Sequence, residues 1–303
     1  MRGNEMNKIA LLQLSLAMTI FGSVGFFSEL SGLPALELVF VRCICAAVFL
    51  CAAWMITGHF KNETWNGREV MLIIFCAVAN LLNWIFLFKS FELISVTIAI
   101  SLYHLAPILV LIIGSFIFRE KMNVFSILAI SLCFIGTLLI MGTDGFRSSS
   151  PEWEGIMYGI IAAFFYAATM LLGKSITKTS VYATTFLQMF IGFLLLIPFV
   201  DYSVYTTLNS SEWFYTVLTG IIHTGVVYLL FFNSIRHLPT NVVSFMIFVD
   251  PAVAILLDIL LSGFKPDGIQ ILGISLIFIG VVYSLKTTKP TENDVMEKRP
   301  HTM

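Results

Sequence analysis

The sequence predicts an all-α membrane protein of ten transmembrane helices arranged as two inverted five-helix repeats. Three observations lead there. First, 58% of the residues are hydrophobic and 12% charged, against about 25% charged in an ordinary soluble domain, so too few polar side chains exist to coat a water-facing surface. Second, apolar stretches of about 20 residues, the length that spans ~30 Å of hydrocarbon, recur ten times between short polar breaks. Third, residues 88 to 141 lie on residues 232 to 285 without a gap. In that frame Phe88 meets Phe232, Ser90 meets Ser234, Pro107 meets Pro251, Lys121 meets Lys265 and Gly136 meets Gly280. Apolar helices match one another by composition, but a shared proline and a shared glycine in one ungapped frame point to an internal duplication.

Cut at charged or turn-forming clusters, the apolar segments run over residues 8–28, 36–57, 69–88, 96–118, 124–142, 154–173, 182–200, 213–235, 240–262 and 267–286. The first is longer than a signal-peptide core and is followed by Glu29 rather than a small-residue cleavage site, so it is a retained helix. The fourth and ninth carry Pro107 and Pro251, each of which frees a carbonyl one turn upstream and bends its helix near the midplane. The sixth carries Gly155, Gly159 and Ala163 at spacing four, a small-residue seam that permits close helix approach. Connections are short throughout, so no soluble domain is interposed. The longest, residues 143–153, divides the segments five and five, giving one repeat over 8–142 and a second over 154–286. The polar tail 287–303 is expected to be disordered and cytoplasmic.

Lysine and arginine placement sets the orientation. With the N-terminus inside, the inner segments hold thirteen of the 17 basic residues, the outer loops hold Lys89, Arg147 and Lys265, and Arg42 lies within a span. Both termini are therefore expected to be cytoplasmic, in the plasma membrane. Five spans per repeat make the second copy enter from the opposite side. Lys121 then faces the cytoplasm while its counterpart Lys265 faces out.

Net charge is −1 and the isoelectric point is near 6.5, which gives no field for nucleic acid. Cys43, Cys45, Cys51, Cys76 and Cys133 all fall in apolar stretches without metal-ligand spacing and are expected to be free buried thiols. No GxxxxGK[ST] loop is present, so this polypeptide does not draw on ATP directly. An intramembrane enzyme is the rival class, but HExxH, GxSxG and Cys/His ligand sets are missing. No cofactor and no metal site are expected.

Short motifs in both halves resemble the EamA family of the drug/metabolite transporter superfamily. They are Ala99 with Pro107 in the fourth span, Arg119-Glu120-Lys121, Gly136, Leu238-Pro239-Thr240, Asp250-Pro251 with Ala254, and Gln270 to Gly273. Phe21-Gly22, Phe40 with Arg42, and Phe165-Tyr166-Ala167 are similar to the same pattern. The resemblance covers nearly all of residues 8 to 286. It implies ten helices in two inverted repeats and transport of small metabolites, most often export. Where the family commonly has a glutamate matching Glu120, this chain has Phe264, which removes a paired acidic arrangement at the two junctions.

Ionisable groups inside a span cost about 2.5–3.5 kcal/mol each on insertion scales, so each needs a reason. Arg42 lies roughly 9 Å into the second span at about 1.5 Å per residue. It either contacts an anion, pairs with Glu37 or Glu29, or snorkels to the outer interface. Gln188, in Phe186-x-Gln188, is its uncharged counterpart. Tyr103 and His104 precede Pro107 by one turn and Asp250 directly precedes Pro251, so both proline breaks carry titratable groups that could couple protons to movement. Asn80, Asn83 and Trp84 cluster in the third span, and His223, Thr224 and Tyr228 occupy the related span. Together these side chains would form a cavity with amide donors and an aromatic floor, while any one of them taken singly is first read as glue between helices, at about 0.6 kcal/mol per bond. Pro107, Pro251, Gly136 and Gly280 are the hinge or structural positions. Together they predict a secondary carrier for an amino acid, a nucleoside or base, or a similar amphiphile, with protons as candidate coupling ions. A passive facilitator shares the fold evidence, and the sequence leaves oligomeric state open.

Overall fold

The computed structural model describes residues 2–94, 96–119, 124–141, 152–261 and 266–287. Every regular element among them is helical: α1 (Arg2–Gly22), α2 (Val24–Leu30), α3 (Ala35–Ile56), α4 (Gly67–Leu93), α5 (Val96–Tyr103), α6 (Ala106–Phe118), α7 (Val124–Met141), α8 (Glu152–Ser175), α9 (Val181–Leu196), α10 (Ser210–Gly220), α11 (Val227–His237), α12 (Thr240–Met246), α13 (Val249–Leu261) and α14 (Gly268–Thr287). A π-helical turn, Ile221–Val226, joins α10 to α11. Six stretches among the described residues are long and apolar enough to cross a bilayer: Asn7–Leu30, Ala35–Ile56, Gly67–Leu93, Trp153–Ser175, Val181–Phe199 and Ser210–His237. Ala106–Phe118, Thr240–Ala254 and Gly268–Ile277 are shorter apolar helices. The chain is a multi-pass membrane protein.

Burial follows the solvent. Large apolar side chains such as Leu12, Ile56, Phe116 and Trp153 are at least 70% exposed, as expected when lipid rather than water bathes the outside. The interior instead holds Arg42, Asn80, Asn83, His104 and Gln188, none more than 2% exposed.

Helix ends follow local chemistry. The Asn66 side chain accepts from the Arg68 N–H at 2.9 Å to start α4, and Asn209 with Glu212 forms a capping box on α10. Four expected continuous segments are interrupted. The fourth breaks after Tyr103 and the ninth after Met246. Pro107 and Pro251 cannot donate to the carbonyls four residues back, and their rings press on them. Both prolines thus begin new half-helices rather than bending one rod. The first segment breaks at Ser23, whose hydroxyl donates to the Ile20 carbonyl at 2.8 Å and competes with the helix ladder. The eighth widens into the π turn.

The helices pack in pairs, α4 along α8, α7 along α14, α3 along α9 and α1 along α11. Gly136 lets α7 and α14 meet backbone to backbone, since a Cβ there would lie 2.6 Å from the Gly273 carbonyl oxygen. Gly155 and Gly159 seat α8 against Ile94 and Leu102, and Ser90 donates to the Gly155 carbonyl at 2.8 Å. Two contacts join residues from the two halves of the sequence at one offset. Trp84 bonds Tyr228, 144 positions on, and the His104 ring lies 5.5 Å from Phe248 at the same interval. Glu120, Lys121, Phe264 and Lys265 lie outside the described residues, as do residues 142–151 and 288–303 and the side chains of Cys133 and Asp258.

Candidate functional site

The polar interior is built around the π turn. Gly220, at the end of α10, allows close approach to α3, where a Cβ would lie 2.5 Å from that of Cys45 and 3.4 Å from the Arg42 Cα. Five-residue spacing then lets the Thr224 hydroxyl donate to the Thr219 carbonyl at 3.1 Å. The same hydroxyl oxygen accepts from Arg42 Nε at 3.0 Å. The Arg42 guanidinium, from α3, lies over two rings of α4, Trp84 at 4.6 Å and Phe88 at 5.7 Å. Trp84 Nε1–H donates to the Tyr228 hydroxyl at 2.9 Å, and that hydroxyl donates to Asn80 Oδ1 at 3.0 Å. Arg42, Asn80, Trp84, Thr224 and Tyr228 are therefore one contiguous cluster contributed by α3, α4 and the π turn with α11.

Aromatic rings extend it. Phe21 meets the Tyr228 ring edge-on at 5.4 Å, and Tyr103 stacks on Tyr166 at 4.7 Å. Asn83 is fully buried with no hydrogen bond to its amide among the described residues, and the Asp250 carboxyl lies within electrostatic reach of Tyr103 and Tyr166. Gly22 permits this corner, because a Cβ there would come 2.6 Å from the Asp250 carbonyl oxygen.

His223 sits beside the cluster and turns toward α2. Ser23 has its hydroxyl hydrogen committed to Ile20, so His223 Nε2–H donates to Ser23 Oγ at 2.9 Å. His104 stands apart, its Nδ1–H donating to the Ile100 carbonyl at 2.6 Å. Gln188 is buried on α9 with no hydrogen bond to its amide among the described residues. Arg42 pairs with neither Glu37 nor Glu29 and does not snorkel. Glu37 instead accepts from the Asp201 N–H at 3.1 Å. On that loop the Ser203 hydroxyl and N–H bond the Asp201 carboxylate and hold its pKa below the ordinary range.

A second polar constellation was not foreseen from the sequence. At the end of the bundle where α8 turns into α9, the Glu69 carboxylate accepts from the Thr177, Lys178 and Thr179 N–H groups at 3.0, 2.9 and 2.6 Å, and from the Thr179 hydroxyl at 2.7 Å. Glu63 accepts from the Ser180 N–H at 2.8 Å and from its hydroxyl. From the other side Arg236 donates to the Thr179 carbonyl and the Thr184 hydroxyl, both at 2.8 Å. The turn 176–180 is thus gripped between α4 and α11. The sequence offered only two acidic residues flanking the Asn66 cap, and nothing in it tied them to the Thr-Lys-Thr-Ser turn.

The open groove along α10, lined by Trp213, Phe214 and Val217 among others, carries no ionisable side chain. It is not part of the polar cluster.

The EamA-like transporter family matches this chain over residues 8–142 and 153–286. The uncharacterized transporter YxxF of Bacillus subtilis is 50% identical over 283 residues, 93% of this chain and 91% of its own length. An uncharacterized transporter of Pseudomonas aeruginosa is 20% identical over 268 residues, 86% and 87% of the two chains. A crystal structure shares the fold at TM-score 0.79 and 16% identity, over 92% of this chain and 99% of that one. The protein is a membrane transporter rather than an enzyme: the chain belongs to the EamA-like transporter family.

Proposed function

We propose that this protein is a secondary carrier of the plasma membrane that exports a small organic metabolite by alternating access. The metabolite is an amino acid, a nucleoside or base, or a drug-like amphiphile. Ten spans form two inverted five-helix repeats, 8–142 and 154–286, and both termini are cytoplasmic. The observation that carries the reading is the bond between Trp84 and Tyr228, residues 144 positions apart. Two residues related by a two-fold axis touch each other only where that axis passes, so a bonded pair at the repeat offset fits a rotation between the halves and not a side-by-side copy. His104 against Phe248 is a second such pair.

The substrate site surrounds that axis. Arg42, Asn80, Asn83, Trp84, Tyr103, Gln188, His223 and Tyr228 provide its contacts, and the proline breaks at Pro107 and Pro251 allow the half-helices to rock around it. Gly136 and Gly280 keep α7 and α14 together as the static seam. His104 and Asp250 carry the coupling protons. With Nδ1–H given to Ile100, His104 keeps Nε2 as its proton acceptor.

Comparison of the metabolites of cells with and without the protein identifies the compound retained in its absence. Flux of that compound into proteoliposomes with and without a pH gradient then tests coupling. A gradient should speed flux in the native protein and not in His104→Ala with Asp250→Asn. A full gradient response in that double variant removes both residues from coupling, and equal flux with and without the gradient in the native protein replaces the carrier by a passive facilitator. Tags placed at the two termini on opposite faces of the membrane would end the ten-span reading.

A further inference from the structure

We infer that the transported metabolite carries an oxyanion, a carboxylate or a phosphate, and that the paired amino groups of Arg42 receive it. This deepens the carrier reading and rests on it.

A buried cation ordinarily has a carboxylate beside it, because the desolvation cost is several kcal/mol-scale and needs an opposite charge to offset it. Arg42 is 2% exposed, yet its neighbours are of another kind. Thr224 takes its Nε–H, and Trp84 and Phe88 present ring faces to the guanidinium. Among the described residues, the titratable groups within electrostatic reach are Tyr228, Cys43, Tyr103 and His223, two phenols, a thiol and an imidazole. No carboxylate is among them. Glu37, on the same helix, is turned to the Asp201 N–H, and Asp250, on α13, acts on Tyr103 and Tyr166.

The donor geometry is also specific. The Nε bond to Thr224 and the Trp84 ring 4.6 Å away restrain the guanidinium. Its two Nη groups have no bonded partner among the described residues. Two parallel N–H donors on one edge match two oxygens of a carboxylate or phosphate. The rings of Trp84, Tyr228 and Phe21 pack on one another nearby and would flank an apolar or aromatic body attached to that anion. Position 188, which answers to Arg42 in the second half, is a neutral glutamine, so the site holds one such cation and takes one anionic group at a time.

The test is a thermal-shift and calorimetric titration of the full-length protein in detergent with acetate, benzoate, phenyl phosphate, benzamide and benzylamine. Benzoate or phenyl phosphate should bind at least about tenfold more tightly than benzamide and benzylamine, the size expected for a charge-assisted hydrogen bond. Which of the two anions binds better separates carboxylate from phosphate. Arg42→Gln should lose the preference, and Arg42→Lys should keep part of it because a point charge remains without the fork. Should Arg42→Gln not fold, protection of Arg42 from phenylglyoxal by benzoate but not benzamide, read by peptide mass spectrometry on the native protein, stands in its place. Benzamide binding as tightly as both anions, neither anion binding, or unprotected Arg42 overturns the inference. Binding in detergent needs no flux. A native protein that prefers anions but moves nothing across liposomes sinks the carrier reading alone, and one that carries a neutral metabolite sinks this inference alone.

Discussion

Glu69→Gln should loosen the turn between α8 and α9 without disturbing the helices around it. In the native protein one carboxylate serves three backbone N–H groups and a hydroxyl of residues 177–179. Glutamine keeps one oxygen, which can still hold Thr177 and Lys178. Its NH2 group replaces the oxygen that Thr179 uses and meets the Thr179 N–H donor to donor. Two charge-assisted bonds of about 1.5–3 kcal/mol each are therefore lost or reversed, and the residue lies near the end of a span where water can compensate in part, so about 3 kcal/mol is the expected local loss. At about 1.4 kcal/mol per factor of ten, amide exchange in residues 177–179 should quicken on the order of 100-fold. Hydrogen exchange followed by mass spectrometry on peptides covering 176–184 reads this directly. Exchange in α3 and α9 should stay unchanged within error. If residues 177–179 exchange within about threefold of the native rate, the carboxylate does not hold the turn, and the tie between α4 and the α8 to α9 connection is a surface contact of the usual small worth.

Tyr228→Phe should lower the melting temperature, since it leaves the buried Trp84 N–H without an acceptor and Asn80 Oδ1 without a donor, at about 1–3 kcal/mol for each group. A double-mutant cycle with Trp84→Phe should return a coupling of about 0.5–3 kcal/mol, and additive effects would show that the two side chains do not depend on each other. Gly136→Val should destabilise by about 1–3 kcal/mol through overpacking, because the new Cβ meets backbone at 2.6 Å. Gly25→Ala, where nothing lies within 4 Å of the added atom, should leave the melting temperature unchanged or raise it.

Residue chemistry accounts for how much of this was legible beforehand. The membrane character was legible because a bilayer demands long apolar runs, and six such runs among the described residues are long enough to cross one. Pro107 and Pro251 announced their breaks by the missing N–H. The break at Ser23 and the π turn gave no such notice, because one depends on a hydroxyl choosing a carbonyl three residues back and the other on Gly220 and Gly225 meeting Cys45 and Phe49. In the site, the cost of a polar side chain in hydrocarbon was enough to single out Arg42, Asn80, Trp84 and Tyr228. It singled out Gln188 and His104 equally, and no hydrogen bond ties either of them to that cluster among the described residues. Glu63 and Glu69 passed unnoticed because a carboxylate near a helix start has a sufficient local explanation, while their real partners are backbone N–H groups more than a hundred positions away, which have no sequence signature.

The positions that answer to one another in the two halves share packing and differ in chemistry, and that difference bears on how the proposed exchange is driven. Trp84 answers to Tyr228, Asn80 to Thr224 and Arg42 to Gln188. Here Arg42 bonds Thr224, and the mirrored bond would join Gln188 to Asn80. Asn80 Oδ1 is instead taken by Tyr228, and the Gln188 amide is without a bond among the described residues. Swapping the two arrangements would release a charged donor from Thr224 and give an amide pair in return, so the two states cannot be equal in energy even if their helix packings are. An anion on the Nη edge of Arg42 changes that balance at the one position where the halves differ in charge. The wall helices can then remain nearly symmetric while the occupant of the centre decides which state is favoured.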